Sequence, residues 1–236
     1  MRALSWNYWG LGNPQLVKAL REMVQHWDPN IVFLMETKLK MSAMKRKKEK
    51  ASFVFGFIVP KAKNCRGLVM LWKKEIKLEI MGYAGNFIDA IVIDESSDYS
   101  RRITGFYGHL EMHKRKESWE QLKSLNRRFQ LSWICFGDFN EILLVNEKCG
   151  GVQRSQRQME GFRSVVDSYN FKDLGYTGPD CTWRNMQERG DKIYLRLDKA
   201  LATQNWIEKY KEVRVHHIVD STSDHFALLV SDSFSP

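Results

Sequence analysis

Six short, strand-like runs in the 236-residue chain each end in, or open from, a residue able to ligate a cation or move a proton. Leu4-Ser5-Trp6 leads into Asn7, Ile31 to Met35 into Glu36, Thr104-Gly105-Phe106 into Tyr107, and Trp133 to Gly137 into Asp138-Phe139-Asn140. Later, Arg196-Leu197-Asp198 closes one strand and Ser223-Asp224-His225 opens another. An unbroken apolar run such as Ile31-Val32-Phe33-Leu34-Met35 suits a strand buried on both faces. Taken singly, each polar residue reads as structural, because Asn and Asp form turns and an imidazole beside an Asp can anchor a loop. Jointly, the clusters can meet on one edge of the sheets.

The rest of the chain supplies the layers. Asn13 as N-cap and Pro14 at the first position predict a helix that carries Leu16, Leu20, Met23, Val24 and Trp27 on one face. Strand-like runs follow at Phe53 to Val59, Leu68 to Trp72, Ile76 to Met81, Phe87 to Ile93 and Ile103 to Tyr107. A second helix is expected through Trp119, Leu122, Leu125 and Phe129, and a third through Met159, Phe162, Val166 and Tyr169. Shorter strands are expected at Thr182-Trp183, Lys192 to Leu197, Val213 to Val219 and Phe226 to Val230. The sum is an α/β or α+β layered fold of two packed sheets with helices outside. With five prolines and no linker or repeat, residues 1–236 read as one domain.

The net charge of +9 makes an anionic partner worth testing. Most of it sits in one patch, Lys38 to Lys50, where seven basic residues face Glu49 alone. That segment, expected as a surface helix from Met41 to Lys50, is either a solvated face or a DNA-backbone contact through Lys45, Arg46 and Lys47. Read as a nuclear-import signal it is a weak match. Cys65, Cys135, Cys149 and Cys181 form no CxxC pair, which fits a reduced, intracellular protein. No stretch reaches the ~20 apolar residues of a membrane span, so no membrane contact is expected.

The ordered motifs Ser5-Trp6-Asn7, Phe33 to Lys38 through Glu36, Gly105-Phe106-Tyr107-Gly108, Gly137-Asp138-Phe139-Asn140-Glu141, Arg196-Leu197-Asp198 and Ser223-Asp224-His225 resemble those of the endonuclease/exonuclease/phosphatase superfamily. Within it the chain is most similar to the N-terminal endonuclease domain of plant long interspersed elements, which are non-LTR retrotransposons. Glu147 to Gly151, Gln158-Met159 with Phe162-Arg163, Asp173-Leu174-Gly175 and Thr182-Trp183 with Asn185 carry that likeness. It departs at Tyr8-Trp9, where plant relatives have Cys-Arg, at Cys181, where they have an aromatic, and at Lys199, where they have Arg.

The resemblance implies a DNase I-like, four-layer αββα sandwich, with two mixed sheets face to face and helices outside. It implies an Mg²⁺-dependent DNA endonuclease, with Mn²⁺ as a substitute, that leaves a 3′-hydroxyl and a 5′-phosphate. Glu36 would be the principal metal ligand, with Asn7 and Asp224 contributing. Asp138 and Asn140 would handle the attacking water, Asp198 would orient His225, and Tyr107 would position the phosphate. Trp183 and Arg196 belong to a supporting shell, with DNA contact as an alternative. The likeness further implies a linked reverse transcriptase and, for activity on chromosomal DNA, a nuclear location. A non-cutting, nucleic-acid-binding remnant and a phosphatase of the same fold stay open as alternatives.

Overall fold

The computed structural model describes residues 1–8, 14–37, 53–60, 66–94, 99–126, 131–185, 187 and 190–231. β1 (Arg2–Asn7), α1 (Pro14–Trp27) and β2 (Ile31–Met35) are followed by β3 (Phe55–Val59), β4 (Leu68–Trp72), β5 (Lys77–Ala84), β6 (Phe87–Ile93) and β7 (Ser100–Tyr107). Next come α2 (Arg115–Asn126), β8 (Ser132–Asp138), β9 (Lys148–Cys149), α3 (Gln156–Ser168), β10 (Phe171–Asp173), β11 (Trp183–Arg184) and β12 (Tyr194–Leu195). β13 (Asp198–Thr203), α4 (Gln204–Lys209), β14 (Arg214–Ile218) and β15 (Ala227–Ser231) complete the order.

Two mixed six-stranded sheets result, in the orders β14-β15-β1-β2-β4-β3 and β10-β13-β8-β7-β6-β5. Their parallel pairs are β1 with β2 and β7 with β8. Alternation along each strand assigns the layers. Ala3, Ile31, Phe33 and Met35 of the first sheet meet Ile88, Ile103, Ile134, Phe136 and Ala200 of the second in one shared core. The alternate residues Leu4, Trp6, Val32 and Leu34 turn outward onto Leu16, Leu20, Met23 and Val24 of α1. On the far side, Phe106, Trp133, Cys135 and Leu201 pack on Trp119 and Leu122 of α2 and on Phe162 and Val165 of α3. The architecture is the αββα sandwich that the resemblance implied. β2 is buried throughout because both its faces are covered.

Close contact between the sheets depends on Gly105, where a Cβ would stand 2.4 Å from the Phe33 ring. A third, three-stranded sheet of β11, β12 and β9 lies outside the two main ones.

The strands at Leu68 to Trp72 and Phe87 to Ile93 have the expected bounds. The segment around Arg196 differs from expectation. Asp198 opens β13 instead of closing a strand, and the run expected over Lys192 to Leu197 shrinks to Tyr194–Leu195. The reason is a change of hydrogen-bond partners. Arg196 N donates to Glu147 O, while Leu197 N and Asp198 N both donate to Thr182 Oγ1, so the chain leaves the small sheet before joining the large one. Tyr169 lies at the C-cap of α3, one residue past its end. Asn13, Phe129 and Cys65 lie outside the described residues, as does the basic segment from Lys38 to Lys50. Cys135, Cys149 and Cys181 are free thiols, and no helix among the described residues is long and apolar enough to cross a membrane.

Candidate active site

Asn7, Tyr107 and Asp138 are the last residues of β1, β7 and β8, and Asp198 is the first of β13. Because β7 runs parallel to β8 and β13 antiparallel to it, Tyr107 and Asp198 both lie in register with Asp138. All four continue the inward-facing alternation of their strands, so their side chains converge at one end of the space between the sheets. Glu36 follows Met35, the register partner of Asn7.

The backbone at this edge leaves ordinary conformational space. Glu36 has φ 54° and Asn140 φ 55°, a left-handed conformation that costs about 1–2 kcal/mol for most L-residues and less for Asn. Gly137, at φ 141°, allows the strand to bend before Asp138, since a Cβ there would meet Phe106 O at 2.1 Å.

Asp138 is the hub. Its Oδ2 accepts from Asn7 Nδ2 at 2.9 Å and from Asn140 Nδ2 at 3.2 Å, and its Oδ1 accepts from Asn140 N at 2.8 Å. His225 Nε2 stands 3.7 Å from Asp138 Oδ2 and 3.4 Å from Asn7 Nδ2, and its Nδ1 is 3.0 Å from Asp198 Oδ2. The loop bearing His225 is pinned to β1, where Trp6 Nε1 donates to His225 O and Ser223 Oγ donates to Asn7 O. Glu36 receives the Tyr107 hydroxyl and, at 2.9 and 3.1 Å, Arg66 Nη1. Asp224 Oδ2 accepts from Trp183 Nε1 at 2.9 Å.

Asn7, Glu36, Asn140, Trp183, Asp224 and His225 line one cleft of about 360 Å³, together with Arg66, Arg115 and Arg154. Asp138 and Asp198 lie beneath it, fully buried. Burial pushes the Asp138 carboxyl above the usual carboxylate range, and Asp198 adds to the rise while His225 opposes it. Burial works against an imidazolium at His225, yet Asp198 and then Asp138 outweigh it and push its pKa up to about 9. Burial and the neighbouring Glu36 keep the Tyr107 phenol protonated.

Two sets of groups could hold a metal. Donor atoms of Asp138, Asp198 and His225 lie within 4.8 Å of one another, with all three residues buried. Glu36, Asn7 and Asp224 instead offer oxygen donors on the wall of the cleft, the hard-ligand chemistry that suits Mg²⁺. Arg66 already neutralises Glu36, so an ion there must compete with a guanidinium.

The fold therefore gathers all eight expected catalytic residues and Trp183. The Tyr107 hydroxyl donates to Glu36. Arg196 is not brought to the cleft. It is buried in ion pairs, 2.7–2.8 Å from Glu147 and Asp173, the supporting position that the sequence also offered. Lys45, Arg46 and Lys47 lie outside the described residues. Sequence reasoning missed Thr182 as an anchor and missed Arg66, Arg115 and Arg154, and it marked Glu141 only as part of a motif, with no role. No motif marked the arginines, which join the site from separate loops or a helix start.

The sequence profile described as "Endonuclease/Exonuclease/phosphatase family" matches residues 4–225. A DNA-(apurinic or apyrimidinic site) endonuclease of Dictyostelium discoideum is 25% identical over 95% of this chain and 68% of its own length. Among solved structures, the endonuclease domain of TRAS1, a telomere-specific non-LTR retrotransposon, superposes with a TM-score of 0.66 at 12% identity, covering 98% of this chain and 97% of that one. The AP endonuclease LMAP from Leishmania major gives a TM-score of 0.71 at 16% identity, covering 97% and 86%. At these identities the two structures speak for the fold alone.

Proposed function

From the premise that this chain belongs to the Endonuclease/Exonuclease/phosphatase family, we propose that it is a divalent-metal-dependent DNA endonuclease. In this reading it hydrolyses one phosphodiester to leave a 3′-hydroxyl and a 5′-phosphate, uses Mg²⁺ or, in its place, Mn²⁺, and derives from a non-LTR retrotransposon of the plant long interspersed type. A linked reverse transcriptase and action in the nucleus go with that origin. The observation that carries the reading is the Asp198–His225–Asp138 chain set beneath a cleft that Glu36, Asn7, Asn140 and Asp224 line. The Dictyostelium AP endonuclease supports DNA as the substrate.

Glu36, with Asn7 and Asp224, would hold the ion, which when bound neutralises phosphoryl charge and favours ionisation of a water. Asp198 fixes the Nδ1 proton of His225, so Nε2 is the ring atom available on the cleft side. Asp138, its Oδ2 3.7 Å from that Nε2, would receive the proton of the attacking water. The imidazolium then stabilises the negative charge that builds on phosphorus oxygens, an electrostatic role favoured by its burial. Asn140, held by Gly108 O at 2.8 Å and by Asp138, keeps its amide in place without reorganisation.

Nicking of supercoiled plasmid in Mg²⁺, with an EDTA control, tests this. Asp138→Ala and His225→Ala should each lower nicking by roughly a thousandfold or more while the protein stays folded, because these groups act mainly in the transition state. Unchanged nicking in either variant rejects the assignment, and release of inorganic phosphate without strand cleavage rejects the endonuclease in favour of a phosphatase.

A further inference from the structure

The wall of the cleft carries two arginines tied to a single carboxylate. Glu141, the residue after Asn140, is buried, and Arg115 Nη1 donates to its Oε2 at 2.5 Å while Arg154 Nε donates to its Oε1 at 3.1 Å. Arg115 is largely committed elsewhere, since its Nε and Nη2 donate to His109 O and Leu110 O at 3.2 Å. Arg154 is not. Among the described residues its Nη1 and Nη2 have no protein partner, and the side chain, 21% exposed, lines the same cleft as His225 and Glu36.

The position is rigid. Arg154 follows the left-handed Gly150-Gly151 turn and immediately precedes Ser155, whose side chain and Gln158 form a capping box at the start of α3. It is also short of negative charge. Arg115 and Arg154 share the Glu141 carboxylate, and the Lys148 ammonium is held below its usual value by burial and then by Arg154. An anion would relieve that repulsion, and a guanidinium fixed through one N–H presents the remaining edge as a fork matched to two phosphate oxygens.

We propose that Arg154, seated with Arg115 on Glu141, forms a second phosphate subsite of the cleft, which takes a phosphodiester flanking the one that is cut. The inference rests on the DNA-endonuclease reading. It makes Arg154 a substrate-positioning residue outside the proton-transfer chain.

The test is binding of a fluorescent DNA duplex in EDTA, followed by anisotropy across a salt series. Arg154→Gln should weaken binding about tenfold at low salt and make the slope of log K against log salt shallower by about 0.9, the value for one lost phosphate contact. Arg154→Lys, which keeps the charge and loses the fork, should retain the wild-type slope with reduced affinity. A role confined to holding Glu141 would lower the melting temperature and leave the slope alone. If Arg154→Gln binds with the wild-type slope, the subsite is overturned while the DNA reading stands. If the wild-type protein binds no DNA, both fall together.

Discussion

Glu36 stands in left-handed backbone, receives the Tyr107 hydroxyl and shares both its oxygens with Arg66. Such backbone strain persists only where surrounding contacts over-determine it, and here a hydrogen bond from Thr37 N to Gly67 O ties the Glu36 turn to the Arg66 loop. Arg66 is half exposed, so its ion pair is partly screened and yields to a small, doubly charged competitor. Arg66→Ala should therefore bind Mn²⁺ several-fold more tightly than the wild type, read from the loss of the free-ion electron paramagnetic resonance signal. Equal or weaker binding would show that the guanidinium does not compete for this carboxylate. At this scale the sequence already marked Asn7, Glu36, Asp138 and His225, because each follows or precedes an apolar run. Arg66 was invisible, since nothing near Cys65-Arg66-Gly67 marks it as the neighbour of a residue thirty positions away.

At the scale of elements, β13 shows how burial overrides local preference. Asp198-Lys199-Ala200-Leu201-Ala202-Thr203 is poor in β-formers, yet every residue but the last is buried. Lys199 is fully enclosed, 3.2 Å from Glu147, which also binds Arg196 at 2.7 Å and accepts from Leu143 N and Leu144 N. Glu147 thus fastens the loop after Asn140 to the strand that carries Asp198. Removing one partner from a buried ionic network leaves the others uncompensated, and Glu147→Ala should cost about 3 kcal/mol in urea denaturation. A loss below about 1 kcal/mol, the level of an exposed pair, would mean that the network is dispensable. β4 and β6, by contrast, were legible to the residue because their apolar runs are bounded on both sides by polar or turn-forming segments.

Across the whole molecule, folding encloses imidazoles as well as carboxylates, and this shapes stability against pH. His217 on β14 is buried, donates from Nδ1 to Pro179 O at 2.7 Å and stacks on Tyr176 at 4.4 Å between ring centroids, and its Nε2 has no partner among the described residues. Burial lowers its pKa below 6.5, so the folded chain keeps it neutral where the unfolded chain takes up a proton. Its contribution is complete above pH 6.5 and is lost as the pH falls below that value toward the folded pKa. Urea midpoints compared at pH 7 and roughly pH 5 should therefore fall less for His217→Gln than for the wild type. An identical fall in both would remove His217 from the acid limb.

Alternation and run length are local properties, so the residues alone carried the layered class, most strands, the apolar face of α1 and the identity of the polar groups at strand ends. Strand order and register are not local. They follow from which faces pack in three dimensions, and they alone bring Asp198 opposite Asp138 and set His225 between the two carboxylates. The same packing withdrew Arg196 into ion pairs and delivered Arg66, Arg115 and Arg154 to the cleft, because a long cationic side chain goes wherever a buried carboxylate lies within its reach.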